Sequence, residues 1–205
     1  MKHLALAMLL SCIPARPILA QDWSVAQPQT LDSPLSGDPM GTTIHRLPNG
    51  LTIYLSPNAL EPRGAAQIAV RAGSKNDPSD STGMAHYLEH MLFKGSSALG
   101  TLDYSKEKPH LDRISRLYER LFGLADPAQR ASVYKEIDQE NIQASRYAVP
   151  NEVAKAYRQL GARGLNAYTS DEQTVYVNNL PSNRLEAWAR LEAERFARPV
   201  FRLFQ

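Results

Sequence analysis

Cysteine is nearly absent: the 205-residue chain has one, Cys12, so no disulfide within the chain can staple the fold. An excess of either charge is lacking too. Lys and Arg number 23 against 21 Asp and Glu, a formal balance of +2, and no block of five or six like charges occurs. The basic surplus that a nucleic-acid surface needs is therefore missing. The one long apolar run sits at the extreme N-terminus. With a mean hydropathy of −0.38, the rest offers nothing near the roughly 20 apolar residues of a membrane-spanning helix. What is there is ordinary globular composition, 43% hydrophobic, and enough length for one core.

Residues 1–20 read as a secretory signal: Lys2 and His3 precede the apolar stretch Leu4 to Leu10, and Ile18-Leu19-Ala20 suits cleavage before Gln21. Pro14 and Pro17 interrupt any helix of the mature fold there. Leu9-Leu10-Ser11-Cys12 loosely suggests lipidation at Cys12 instead, but too little apolar sequence precedes it. Removing this segment takes away Lys2, Arg16 and no acid, which leaves 21 basic and 21 acidic residues and no thiol. Export to the periplasm or outside the cell then leaves core packing or a metal to hold the chain together.

Residues 21–41 are rich in Gln, Ser, Pro and Asp without periodicity and read as an extended lead-in to a domain spanning 42–205. Ile44 to Leu47 and Leu51 to Leu55 flank Pro48-Asn49-Gly50, a strong hairpin signal. A further strand is expected at Ala66 to Ala72. Ser81 or Thr82 can cap a helix from Gly83 to about Lys94, ended by Gly95. Leu111, Ile114, Leu117, Leu121 and Leu124 recur at helical spacing, and Asp126-Pro127-Ala128-Gln129 supplies an N-cap, a first-position Pro and a capping Gln for a second helix to about Tyr147. An antiparallel helical hairpin follows from the pair. A short helix from Pro150-Asn151 to Gly161, one strand over Leu165 to Asn178, and a helix carrying Leu185, Trp188, Leu191 and Phe196 on one face complete an α/β (α+β) chain in which an antiparallel-rich sheet packs against helices.

His86-Tyr87-Leu88-Glu89-His90 is an H-x-x-E-H sequence. At about 100° per residue, Glu89 and His90 lie within roughly 60° of His86, so the three polar groups share a face, with Met84, Leu88, Met91 and Leu92 opposite. Two imidazoles on one face suit Zn2+, which takes neutral His as a ligand and in catalytic sites keeps one position open for water. Glu89 beside that water can act as general base, taking a proton during attack on a peptide carbonyl and passing it to the leaving amine. His45 and His110 stand alone in the sequence and read as solvated or structural.

The run Gly83 to Gly95 resembles the zinc helix of the pitrilysin/insulinase family of metallopeptidases. Leu47-Pro48-Asn49-Gly50-Leu51 is similar to that family's first hairpin, Val70-Arg71-Ala72-Gly73-Ser74 to the strand before the zinc helix, and Leu165-Asn166-Ala167-Tyr168-Thr169-Ser170 to its substrate-facing edge strand. The resemblance implies that His86 and His90 bind zinc, that Glu89 is the general base of an exported metalloendopeptidase, and that Asn166, Ala167 and Tyr168 pair their backbone with an extended peptide. It also makes the helical region 101–161 an insertion, since shorter family members join zinc helix to edge strand more briefly.

The family's third zinc ligand is a Glu on a later helix. By the order edge strand, helix, ligand-bearing helix, that position is expected beyond Gln205, as in a C-terminally incomplete domain; Glu192 and Glu194 lie on the preceding helix. The family completes its site with a second, homologous half, so a second domain or subunit is an expected partner. The alternative is a noncatalytic peptide-binding or partner subunit of the same fold, or an inactive remnant; the intact motif weighs against it.

Overall fold

The computed structural model describes residues 29–32 and 36–202; the expected signal segment 1–20 lies outside the described residues. Three strands, β1 (Gln29–Asp32), β2 (Thr43–Arg46) and β3 (Thr52–Leu55), form one antiparallel sheet in the order β1-β2-β3. The expected hairpin joins β2 to β3, with Arg46 opposite Thr52 and Ile44 opposite Tyr54. Gly50 closes its turn: its N–H donates to Leu47 O at 2.9 Å, and its φ of +89° is one that a residue without Cβ adopts at no steric cost. β1 falls within the stretch read as lead-in and pairs with β2.

The second sheet contains β4 (Arg63–Val70), β5 (Arg163–Thr169) and β6 (Thr174–Pro181), antiparallel throughout and ordered β4-β6-β5. The sequence suggested one strand over Leu165 to Asn178; the chain instead reverses at Ser170–Gln173 and makes two. Ser170 N–H donates to Gln173 O at 2.8 Å, and the Ser170 hydroxyl reaches the same carbonyl. A polar run through Ser170, Asp171 and Glu172, with no side chain to bury, turns where a purely alternating pattern would continue. β6 becomes the buried central strand, and β5 is left at the edge with one side unpaired among the described residues.

Helix α1 (Met84–Met91) rests on β5 and β6. Helices α2 (Tyr104–Phe122) and α3 (Pro127–Ser145) form the expected antiparallel hairpin, capped by Asp103 and Asp126, which accept from the Ser105 and Gln129 N–H groups. The hairpin has its own core of Ile114, Leu117, Leu121, Val133, Ile137 and Ala144. On its surface His110 pairs with Glu140 at 2.7 Å and faces the Tyr147 ring, so this histidine is structural.

Helix α4 (Glu152–Gln159) and helix α5 (Leu185–Ala197) bury Val153, Tyr157 and Leu191 with Leu99 in a second core, against which Phe93, Leu165 and Trp188 pack. Burying each large apolar side chain of this kind is worth about 1.5–3 kcal/mol. Among the described residues no helix is long and apolar enough to cross a membrane.

Candidate metal centre on helix α1

The N-terminus of α1 is held by a residue outside the motif. Asp77 accepts from the N–H of Gly83 and of Ala85, each at 2.7 Å, so the cap comes from this carboxylate and not from Ser81 or Thr82. Gly83 enters the helix at φ +88°, which turns the chain back so that the first N–H groups meet Asp77.

His86 and His90 sit one turn apart and exposed, with their Nε2 atoms 3.0 Å apart and ring centroids 4.8 Å apart. Two ligand atoms about 2.0–2.1 Å from one tetrahedral ion stand about 3.3 Å from each other, so the pair already has nearly the bite of a single cation. The residues present therefore fit zinc as a two-imidazole donor set. Among the described residues no group of three or more His, Cys, Asp or Glu is placed to hold a metal.

Glu89 points elsewhere. It is buried at 6% exposure, and its Oε2 accepts from the Thr169 hydroxyl of β5 at 2.5 Å. Its charge is felt at Tyr176 on β6, whose phenol is pushed up to about 12 chiefly by burial, against the opposing pull of the Arg195 guanidinium and with the Glu89 and Glu192 carboxylates adding to the rise. The apolar side of α1 is less covered than its pattern suggests. Met91 is buried, but Met84 and Leu88 are 40% and 39% exposed, because the inward line of the helix is occupied by Glu89 facing β5.

The two imidazoles front different clefts. One, of about 410 Å³, is lined by Ser74, Asp77, Thr82, Gly83, His86 and Thr169. The other, of about 390 Å³, lies between His90, Lys94, Pro150 and Asn151.

Asn166, Ala167 and Tyr168 all lie on β5, opposite Val177, Tyr176 and Val175. Their backbones do not all face the same way. Ser170 N–H donates to Gln173 O, which makes theirs a bonded position, and in an antiparallel pair bonded and non-bonded positions alternate. Asn166 and Tyr168 therefore spend their N–H and C=O on β6, whereas Ala167 and Thr169 direct theirs to the open edge. The expectation of three pairing backbones narrows to Ala167 within that trio, with Asn166 and Tyr168 offering exposed side chains.

Glu192 and Glu194 are already engaged. Glu192 accepts from Tyr157 Oη and from Arg195, and Glu194 from the Ser96 hydroxyl at 2.8 Å and from Arg198. Burial pushes the Tyr157 phenol far up, and the adjoining Glu192 carboxylate adds to that, so the phenol stays a neutral donor. Arg195 is fully buried, its guanidinium 4.7 Å from the Tyr176 ring centroid and 4.8 Å from that of Phe196. Both glutamates serve packing. Thr169 and Asp77, which hold Glu89 and α1, carried no local signal: their partners lie 80 and six to eight positions away.

A two-imidazole helix laid on an antiparallel sheet with an open edge strand defines a peptidase-like architecture, and the comparisons agree. Residues 53–108 match the family described as Insulinase (Peptidase family M16). Coenzyme PQQ synthesis protein F of Pseudomonas aeruginosa is 46% identical over 52 residues, 25% of this chain and 7% of that protein. Mitochondrial-processing peptidase subunit beta of Blastocladiella emersonii is 28% identical over 139 residues, 68% of this chain and 19% of that protein. The crystal structure of pitrilysin superposes with a TM-score of 0.51 at 20% identity, over 85% of this chain and 13% of that one, a likeness of fold. Over residues 53–108 in sequence and more widely in fold, the chain is similar to the N-terminal part of pitrilysin/insulinase family members. It matches less than a fifth of the length of these relatives.

Proposed function

We propose that the chain carries the zinc-binding and general-base elements of an exported metalloendopeptidase acting on extended peptides. The observation that carries this reading is the 3.0 Å approach of the His86 and His90 Nε2 atoms on a helix whose intervening Glu89 lies against the edge strand. His86 and His90 would hold the ion, and when bound it lowers the pKa of water from about 16 to near 7. Glu89 takes the proton of the attacking water, the water oxygen bonds to the peptide carbonyl carbon, and the C–N bond breaks as Glu89 returns the proton to the departing amine. Ala167 and Thr169 offer outward N–H and C=O groups to the substrate backbone, so extended conformation is read before side-chain identity. The signal-like segment 1–20 supports a periplasmic or secreted location.

Two imidazoles alone bind zinc weakly; the resemblance implies that a Glu on a later helix adds the third ligand and that a second homologous domain or subunit completes the site. That same two-ligand set favours a second reading, a noncatalytic subunit that keeps the fold and binds peptides. The purified chain, given zinc and an unstructured peptide, separates the two. Chelator-sensitive cleavage lost in Glu89→Gln, with zinc uptake lost only in His86→Ala and His90→Ala, supports the peptidase. Peptide binding without cleavage, unchanged by Glu89→Gln, supports the subunit.

A further inference from the structure

Resting on that reading of Glu89, we infer that Thr169 is the positioning residue for the general base: its hydroxyl fixes one carboxylate oxygen and leaves the other to take the proton. The two threonine hydroxyls at this point carry two hydrogens. Thr174 Oγ1 donates to Ala72 O at 2.9 Å, and Thr169 Oγ1 donates to Glu89 Oε2 at 2.5 Å. With both hydrogens placed, the 3.3 Å approach of the two hydroxyl oxygens is a contact between acceptors. Thr169 thus has no competing use for its proton, and Glu89 receives a donor whose direction is set.

The strand makes that direction firm. Thr169 stands opposite Thr174 in the non-bonded register position, where side chains of paired strands approach most closely. Its β-branched Cβ restricts χ1, so the hydroxyl is held where the strand puts it. Glu89, by contrast, has a long side chain and is nearly buried, and a carboxylate there without a donor would be costly. Thr169 also lines the cleft beside His86, so the residue that holds the base borders the space a substrate would enter. With Oε2 committed to Thr169, Oε1 is the oxygen left to act as base.

The test compares the chain with Thr169→Val, which is isosteric but lacks the hydroxyl, and Thr169→Ser, which keeps it; Thr169→Ala replaces the Val variant if that does not fold. Crystal structures give the position of the Glu89 carboxylate, chelator competition gives zinc affinity, and peptide hydrolysis gives kcat and KM. We expect Glu89 to leave its place in Thr169→Val and keep it in Thr169→Ser, with zinc affinity equal in all three. kcat falls by about 10- to 100-fold in Thr169→Val at unchanged KM and recovers in Thr169→Ser. Glu89 unmoved in Thr169→Val, or equal losses in both variants, overturns the assignment and leaves Thr169 a packing residue. If Glu89→Gln cleaves as fast as the wild-type chain, the peptidase reading fails on its own, and the Glu89 position in the variant structures still decides the role of Thr169.

Discussion

Arg202 grips Glu107 from two nitrogens, Nε to Oε1 at 2.7 Å and Nη2 to Oε2 at 3.1 Å, across 95 positions of sequence. Its remaining N–H groups are also used: Nη1 donates to Lys94 O at 2.9 Å and Leu99 O at 3.0 Å, and Nη2 to Ser96 O at 2.8 Å. All five guanidinium hydrogens are satisfied. The side chain therefore fastens the loop leaving α1 to the start of the helical hairpin. Gly95 and Gly100 make room for it: at φ +112° and +87°, a Cβ on either would stand 2.8 or 2.7 Å from Arg202 Nη1.

Because both charges are buried, at 3% and 0% side-chain exposure, removing one strands the other. Arg202→Met is expected to lower the stability measured by urea unfolding by about 3–5 kcal/mol, and Glu107→Leu by a similar amount. The double variant should recover most of the loss, since an apolar pair leaves no orphaned charge. Additive losses would show that the loop carbonyls, not the ion pair, need the guanidinium.

Asp77 provides the second stability prediction. Asp77→Ala leaves the Gly83 and Ala85 N–H groups without their acceptor at the entrance to α1. The expected cost is about 0.5–2 kcal/mol, read as a lower thermal midpoint. Amide exchange should speed up in the first turn of α1, and zinc affinity should fall with it, because His86 lies in that turn. Asp77→Asn keeps an acceptor oxygen and should fall between.

Much of this arrangement was legible from residues alone, and the boundary of what was legible is physical. The β2–β3 turn rests on Pro48-Asn49-Gly50, and the cap of α3 on Asp126-Pro127; both signals act within four residues, and both elements appear as expected. The H-x-x-E-H spacing put the His pair on one exposed face for the same reason, helical geometry being local. Glu89 facing inward could not be read, because its partner Thr169 arrives through a strand 80 positions later. The Ser170–Gln173 reversal was hidden because the polar run between two alternating stretches has no Gly or Pro to mark a turn. The buried charges of α5, Glu192, Glu194 and Arg195, occupy positions where an amphipathic reading expects apolar residues; only partners from other elements, Tyr157 and Ser96 among them, make their burial tolerable.

A pH prediction attaches to the N-cap of α2. The Ser105 hydroxyl, donating to Asp103 at 2.6 Å, and then Lys106 hold the Asp103 carboxyl below the ordinary carboxylate range. A depressed folded-state pKa contributes stability above the unfolded value of about 3.9 and loses it as pH falls through the folded value. Urea midpoints of wild type and Asp103→Ala should therefore differ at neutral pH and converge in acid. A gap independent of pH would mean that the charge of Asp103 is immaterial to the cap.

The open edge of β5 gives the sharpest functional test. Ala167 sends its N–H away from β6, whereas its neighbour Tyr168 sends its own into the ladder opposite Val175. Proline removes an N–H and is tolerated in a strand only where that group is not paired. Ala167→Pro should thus leave the urea midpoint close to wild type while weakening capture of an extended peptide about 10-fold, the equivalent of one net hydrogen bond of roughly 1.4 kcal/mol. Tyr168→Pro should do the reverse, costing stability through a lost ladder bond. Fluorescence anisotropy of a labelled peptide, read alongside unfolding curves, distinguishes the two; equal peptide affinity in Ala167→Pro and wild type would show that peptides bind elsewhere than along this edge.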